Sequence, residues 1–349
     1  MEFGMFHEFP ALPGRSDTEC FELAMEQVDA AEEWGLDAMW LAELHFNPRR
    51  SVLSFPLGLA AAIAARTERM KIGIAVQVLP LAHPLRLAEE AATVDQLSRG
   101  RLIMGVGRSG FPRTYNAYGI PYSESKDRFT EALDIMKRAW TEPRFSYAGK
   151  FHRFEDVAAT PRPYQQPWPE LRVAATSPDT FPTNGEAGHP IFVAVRSGTF
   201  QDLGPEIAEY HAAWAAAGHQ GKGQIFLRVP TYVAATDAQA RAESEASILQ
   251  FYKNHAQLLK DAAIKTGEPA AIARAGHAER LLTLNYEEGL GCNLVAGSPD
   301  SVIKQLTALR DELGLDGILT ELNCGGAIPH QGVMTALRLL CQEVQPHFH

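Results

Sequence analysis

Cysteine is scarce: Cys20, Cys292, Cys324 and Cys341 are the four in 349 residues. They show neither CxxC spacing nor the density of a secreted scaffold, which argues against a disulfide framework and predicts reduced thiols in a cytoplasmic protein. With no paired-cysteine site and no HExxH, no metal centre is expected either. No run approaches the roughly 20 apolar residues of a membrane span. The start, MEFGMFHEFP, lacks the basic and long apolar segments of a signal peptide. Positive charge is also short: the net charge is −10, without a long basic run. That disfavours nucleic acid or an anionic membrane as partner. Apolar side chains are plentiful, at 46%, and suit a large core. What remains is a globular protein that works on small molecules.

Residues 77–110 hold the plan of the chain. The run KIGIAVQV (71–78) is short, apolar and rich in β-branched residues, so it predicts a strand buried on both faces. LPLAHP stops it, and Pro84 opens a helix with Leu87, Ala91, Val94 and Leu97 on one face. Residues 98–100 end that helix. RLIMGV (101–106) is the next strand, followed by Gly107 and Gly110 with Arg108 between them, at the carboxyl end of a parallel strand.

Read in order, the chain shows eight strands starting near residues 2, 37, 71, 101, 171, 190, 225 and 316. Helices are expected from Asp17 to Trp34 with Gly35 as a left-handed cap, and over 56–66, 84–97, 126–140, 205–218 and 237–264. Two more are expected after Ser298 as cap, to Leu313, and over 331–344. Such alternation predicts an α/β protein with a parallel sheet, and eight repeats match a closed (β/α)8 TIM barrel. One domain over 1–349 is expected, with insertions at the carboxyl-end loops. A doubly wound sheet stays open as the alternative, because strand order is invisible in sequence. Pro112, Gly119 and Pro121 make 111–123 an ordered loop, 145–169 is an excursion, and 267–294 yields no assignment.

Gly105-x-Gly107-x-x-Gly110 fits the dinucleotide fingerprint literally, but its third glycine leads into Pro112 and a turn-rich segment. A glycine-lined anion loop with Arg108 as its charged fork is one reading, and a tight turn with a surface arginine is the other. In ATSPDT, after the fifth strand, Ser177 could cap a helix whose N–H groups meet a phosphate. Asp179 would repel that anion, and ordinary capping explains the motif equally well. Glu43 and His45 follow the second strand at the open end of the barrel, a carboxylate placed to hold the tautomer of a proton-exchanging ring. A structural histidine is the plainer alternative. His83 sits where it would hold backbone at a turn, and the terminal histidines read as a free tail.

Taken together, DAMWLAELHF (37–46), GIAVQVLPLAHPLRLAEEAATVDQLSRGR (73–101), GVGRSG (105–110), VAATSPDT (173–180) and LVAGSPDSV (294–302) resemble the bacterial luciferase-like flavin-dependent monooxygenase family. The resemblance spans most of the chain. It implies a (β/α)8 barrel binding FMN as FMNH2, with O2 as co-substrate and a separate flavin reductase as partner. By position, Arg108, Ser177 and Thr180 would hold the flavin phosphate, with Thr176 nearby. Ala75 and Val76 would pass beneath the isoalloxazine ring, where members can carry a non-prolyl cis peptide. Two departures stand out. The family's histidine pair is Leu44-His45 here, and the reactive cysteine of luciferases corresponds to Gly107. Both argue against light emission, and the expected activity is monooxygenation of a small organic substrate. A deazaflavin- or flavin-dependent dehydrogenase and a flavin-binding protein without turnover are the alternatives. A homodimer is expected through helices 56–66 and 84–97, whose Gly58, Ala61, Ala62, Ala65, Ala88 and Ala92 permit close packing.

Overall fold

Eight parallel strands close on themselves in chain order: β1 (Glu2–His7), β2 (Ala38–Leu41), β3 (Lys71–Ile74), β4 (Leu102–Gly107), β5 (Glu170–Ala174), β6 (Ile191–Ala194), β7 (Ile225–Val233) and β8 (Gly317–Glu321). Each pairs with the next, and β8 returns to β1 with Glu2 opposite Gly317. Closure excludes the doubly wound alternative and leaves the (β/α)8 barrel. The computed structural model describes residues 1–195, 198–266, 272, 275, 276 and 278–349.

The barrel is filled rather than hollow. Trp40 of β2 lies fully buried in its interior, edge-on to Phe192 of β6 with ring centroids 5.0 Å apart. Gly4 and Gly73 on the flanking strands admit the indole, since a Cβ at either position would sit 2.3 or 2.0 Å from it. At the amino end Arg172 is 1% exposed. Its guanidinium lies 3.4 Å over the Phe226 ring and pairs with Glu2 and Glu170, the first residues of their strands.

Helices cover the outside. The Asp17–Trp34 helix has the expected start and ends on left-handed Gly35 as expected, and the structure adds a capping box between Ser16 and Glu19. Several expectations need correction. The strand expected over 71–78 breaks at a cis peptide between Ala75 and Val76, and Gln77–Val78 resumes beside β4. The expected loop 111–123 contains a helix, Pro112–Ala117, and a 3-10 turn, Tyr122–Glu124. Pro112 stands in the first helical turn and Pro121 just before its own turn, where a missing N–H costs no bond. The 145–169 excursion holds an antiparallel hairpin, Phe145–Ala148 with Arg153–Val157.

Leu97, placed on the buried face of the Pro84–Ser98 helix, is exposed. Ala88 and Ala92, placed at a dimer contact, are fully buried inside the chain, and Trp140 Nε1 donates to the Ala88 carbonyl at 2.9 Å. His83 stands at the helix N-cap, makes no side-chain hydrogen bond to backbone among the described residues, and packs edge-to-face on His152. Ser298 stands at its N-cap, but its hydroxyl donates to the Ser301 hydroxyl at 3.2 Å and accepts from no helix N–H. Of the unassigned stretch, residues 267–271, 273, 274 and 277 lie outside the described residues, and Ala278–Thr283 and Tyr286–Gly289 are short helices. All four cysteines are free. Among the described residues no helix is long and apolar enough to cross a membrane, and no group of three ligating side chains could hold a metal.

Candidate active site

Parallel closure points every strand's carboxyl end to the same mouth, where the following loops converge. Three adjoining cavities of about 370, 130 and 110 Å³ open there, and Arg50 lines all three. The 130 Å³ cavity is bounded by small or apolar side chains, Ala42, Leu44, Ala75, Val76 and Ala194, with Glu43 and Arg228 among the polar ones.

Glu43, on that wall, accepts three hydrogen bonds. One oxygen accepts from His45 Nε2 at 2.7 Å, and the other accepts from Val78 N at 2.7 Å and from the Gln77 amide. His45 has both ring nitrogens engaged, since Nδ1 lies 3.2 Å from the Tyr118 hydroxyl. It lines the 110 Å³ cavity, while Glu43 and Leu44 line both this one and the cavity beside Ala75 and Val76.

The glycines of the fourth strand answer to packing. A Cβ on Gly105 would lie 1.8 Å from the Ile74 carbonyl, and one on Gly107 would lie 2.6 Å from Val76 Cγ2. Both let β4 approach β3 and the segment after it. The backbone carbonyl of Arg108 accepts from the buried Tyr115 hydroxyl. The guanidinium of Arg108 makes no hydrogen bond or ion pair among the described residues. It makes the smallest contribution to lowering the Asp179 carboxyl, after the Ser177 hydroxyl and Lys126, whose Nζ lies 3.4 Å away.

The expected capping role of Ser177 is not what forms. The helix there is Thr180–Glu186 with Asp179 at its N-cap, and Ser177 Oγ donates to Asp179 at 2.7 Å. Thr180 turns back instead: its hydroxyl donates to the Ser177 carbonyl at 2.6 Å and accepts from the N–H groups of Thr176 and Ser177 at 3.1 and 3.3 Å. Thr176, Ser177 and Thr180 thus form one tight turn, and the Asp179 within it pairs with Lys126 at 3.4 Å.

A charged cluster that the sequence reading missed stands on the opposite wall. Arg50 makes a two-pronged pair with Glu8, its Nε 2.7 Å from Oε2. Arg228 of β7 bridges Glu321 at 2.7 Å and Glu8 at 3.3 Å while lying 3.8 Å over the Phe6 ring. Burial pushes the Glu8 carboxyl up, but Arg50 and Arg228 outweigh it and hold the group below its ordinary range. Burial pushes Glu321 up and the charge of Glu8 adds to this, so Glu321 stays above its ordinary range despite Arg228. The overlooked signal is a single charge inside each apolar strand, Arg228 in IFLRVPTYV and Glu321 in GILTE.

The mouth suits a flavin. Ala42, Ala75 and Ala194 leave a shallow apolar floor beside Val76, of the kind a planar ring occupies. Arg108 stands near this turn, whose Ser177 and Thr180 hydroxyls and Thr176 and Ser177 N–H groups are bonded within it, and none of these four residues lines the three cavities.

Comparison with known proteins agrees with this geometry. A family model described as luciferase-like monooxygenase matches residues 1–317. The alkanal monooxygenase alpha chain of the Kryptophanaron alfredi symbiont is 30% identical over 194 residues, covering 56% of this chain and 54% of that protein. The first curated relatives are matched over only about half their length, 52–54%. The FMNH2-dependent dimethylsulfone monooxygenase of Pseudomonas putida is 26% identical, covering 86% of this chain and 78% of that one. A crystal structure of a monooxygenase from Streptomyces bottropensis superimposes with a TM-score of 0.80 at 26% identity, covering all of both chains. A barrel of this connectivity, with a small-residue floor at its mouth and a family match over residues 1–317, places the chain in the luciferase-like monooxygenase family.

Proposed function

We propose that the chain is the oxygenase component of a two-component system, an FMNH2- and O2-dependent monooxygenase acting on a small organic substrate, with reduced flavin delivered by a separate reductase. The observation that carries this reading is the shallow cavity bounded by Ala75, Val76, Ser109 and Gly110, the last two just past Arg108 in the chain, in a protein of this family. The dimethylsulfone relative supports FMNH2 as the reduced cofactor.

Bound FMNH2 supplies the electrons that activate oxygen. Every other task falls on the chain. Arg108, with the turn formed by Thr176, Ser177 and Thr180, holds the phosphate. Ala75 and Val76 support the ring. Leu44 contributes apolar surface that keeps water out of the mouth. Glu43 and His45 form the hydrogen-bonded pair through which a proton is held at Glu43 Oε1 or His45 Nε2. We also propose a homodimer, through the outer side of the Pro56–Ala64 helix and its neighbour, where Ala62, Ala65, Phe55 and Leu97 are exposed.

Anaerobic titration with FMNH2, followed by oxygen, tests the reading. Stoichiometric binding and slowed flavin reoxidation, with oxygen incorporated into an added substrate in place of hydrogen peroxide release, are expected. Flavin that reoxidises in the presence of the chain at its rate in free solution would overturn it.

A further inference from the structure

We infer that the 370 Å³ cavity is the substrate chamber and that it takes a small organic acid, with its carboxylate toward Arg49 and Arg50 and its apolar body toward the Ala75–Val76 floor. This deepens the monooxygenase reading and rests on it for the identity of the neighbouring flavin site.

Position comes first. The chamber shares Phe6, Glu8, Arg50, Phe251 and Glu321 with the cavity that Ala75 and Val76 line. A molecule filling it therefore abuts whatever lies on that floor. Its volume of about 370 Å³ is at the small end of ligand pockets. Its walls are apolar on two sides: Met5 and Phe6 from the barrel, Phe251 and Leu258 from the Asp237–Thr266 helix.

Charge then selects the head group. Two guanidinium groups, Arg49 and Arg50, and two carboxylates, Glu8 and Glu321, line the chamber, so selection rests on which of these charges are free rather than on their sum. Both carboxylates are already taken, Glu8 by two guanidinium groups and Glu321 by Arg228. A cationic ligand would find no free anion on this wall. Arg49, by contrast, has no hydrogen bond or ion pair among the described residues, and Arg50 makes none through Nη1. The amides of Asn47 and Asn254 line the same space and can donate to carboxylate oxygens. Asp261 lines only the 110 Å³ cavity next door. Arg49, exposed at the rim of the chamber, is the unpaired guanidinium that an anion would meet, and added salt would screen that attraction.

The test compares acids with their neutral isosteres. Benzoate and cyclohexanecarboxylate, against benzamide and cyclohexanecarboxamide, are titrated by calorimetry into the chain saturated with FMN. Each acid should bind at least about tenfold more tightly than its amide. Salt should weaken the acids and leave the amides unchanged. Arg49→Gln, on an exposed loop, should erase the preference while FMN affinity, read by flavin fluorescence, stays the same. Amides binding as tightly as acids, acids failing to bind at 10 mM (a concentration on the order of the weakest specific affinities), or an unaltered preference in Arg49→Gln would each overturn the inference. If FMN itself does not bind, the flavin reading fails separately, and the acid-to-amide comparison is still read on the chain alone.

Discussion

Glu43 and His45, two residues apart on the loop after β2, are joined side chain to side chain at 2.7 Å. In its neutral form the ring donates from Nε2 to Glu43 and accepts at Nδ1 from Tyr118, a tautomer assigned by its partners. Tyr118 is 45% exposed and Glu43 lines the flavin-facing cavity, so these bonds connect water to that cavity. His45→Ala breaks the connection. A positioned proton donor is commonly worth about 10²–10⁴ in rate, and here His45 acts through Glu43, so a fall in kcat of about tenfold or more is expected. Hydrogen peroxide release should rise while the Kd for FMN stays unchanged. Stopped-flow oxidation with a peroxide assay checks this; unaltered rate and coupling in a folded variant would leave His45 a brace for its loop.

Arg108→Ala should loosen FMN. Charge-assisted hydrogen bonds contribute about 1.5–3 kcal/mol, so affinity should fall by roughly tenfold or more. Calorimetry with FMN reads it directly, and an unchanged Kd would remove Arg108 from the phosphate site.

Gly73→Ala should destabilise the barrel without touching its mouth. The added methyl would lie 2.0 Å from the Trp40 ring, which packs in a filled interior with no room to retreat. Overpacking of this kind costs about 1–3 kcal/mol. Urea denaturation should show a lower midpoint, and a second change, Trp40→Phe, should recover part of the loss.

Acid should weaken the fold before its carboxylates protonate. Burial, then the neighbouring charge of Lys137 with Nζ 2.7 Å away, lowers His189 to about 4, and burial lowers His7 to about 4 as well. Unfolded histidine titrates near 6.5, and each unit of difference is worth about 1.4 kcal/mol. Because the folded pKa lies below the unfolded one, this stability is complete above about pH 6.5 and drains as pH falls toward about 4. Glu2 and Glu8, held low in the fold, lose their contribution only below their unfolded value of 4.5. Denaturation midpoints measured from pH 7 to 4 should fall steadily, and His189→Gln should flatten the slope.

Sedimentation at micromolar concentration should give a dimer. Leu97→Asp, placed on an exposed position of the proposed contact, should shift it to monomer. A monomeric native chain would end the proposal.

The barrel was legible because its signals are local. Apolar runs such as KIGI and LIMGV, helix starts such as Asp17, and stops such as Gly35 each act over a few residues. The helix at Pro112–Ala117 escaped notice for the opposite reason: proline reads as a breaker unless its position within the first turn is known. The small residues of the Pro84–Ser98 helix looked like a contact for a second subunit, yet Trp140, 52 residues on, covers Ala88.

By itself the sequence determined the succession of strands and helices and the presence of Glu43, His45 and Arg108 just past strand ends. Tertiary structure alone decided which of them meet. Glu8, Arg50, Arg228 and Glu321 come from four separate places in the chain, and no spacing announces them. They become one cluster because closing eight parallel strands brings every carboxyl end to one rim, and a buried charge persists there only beside an opposite one.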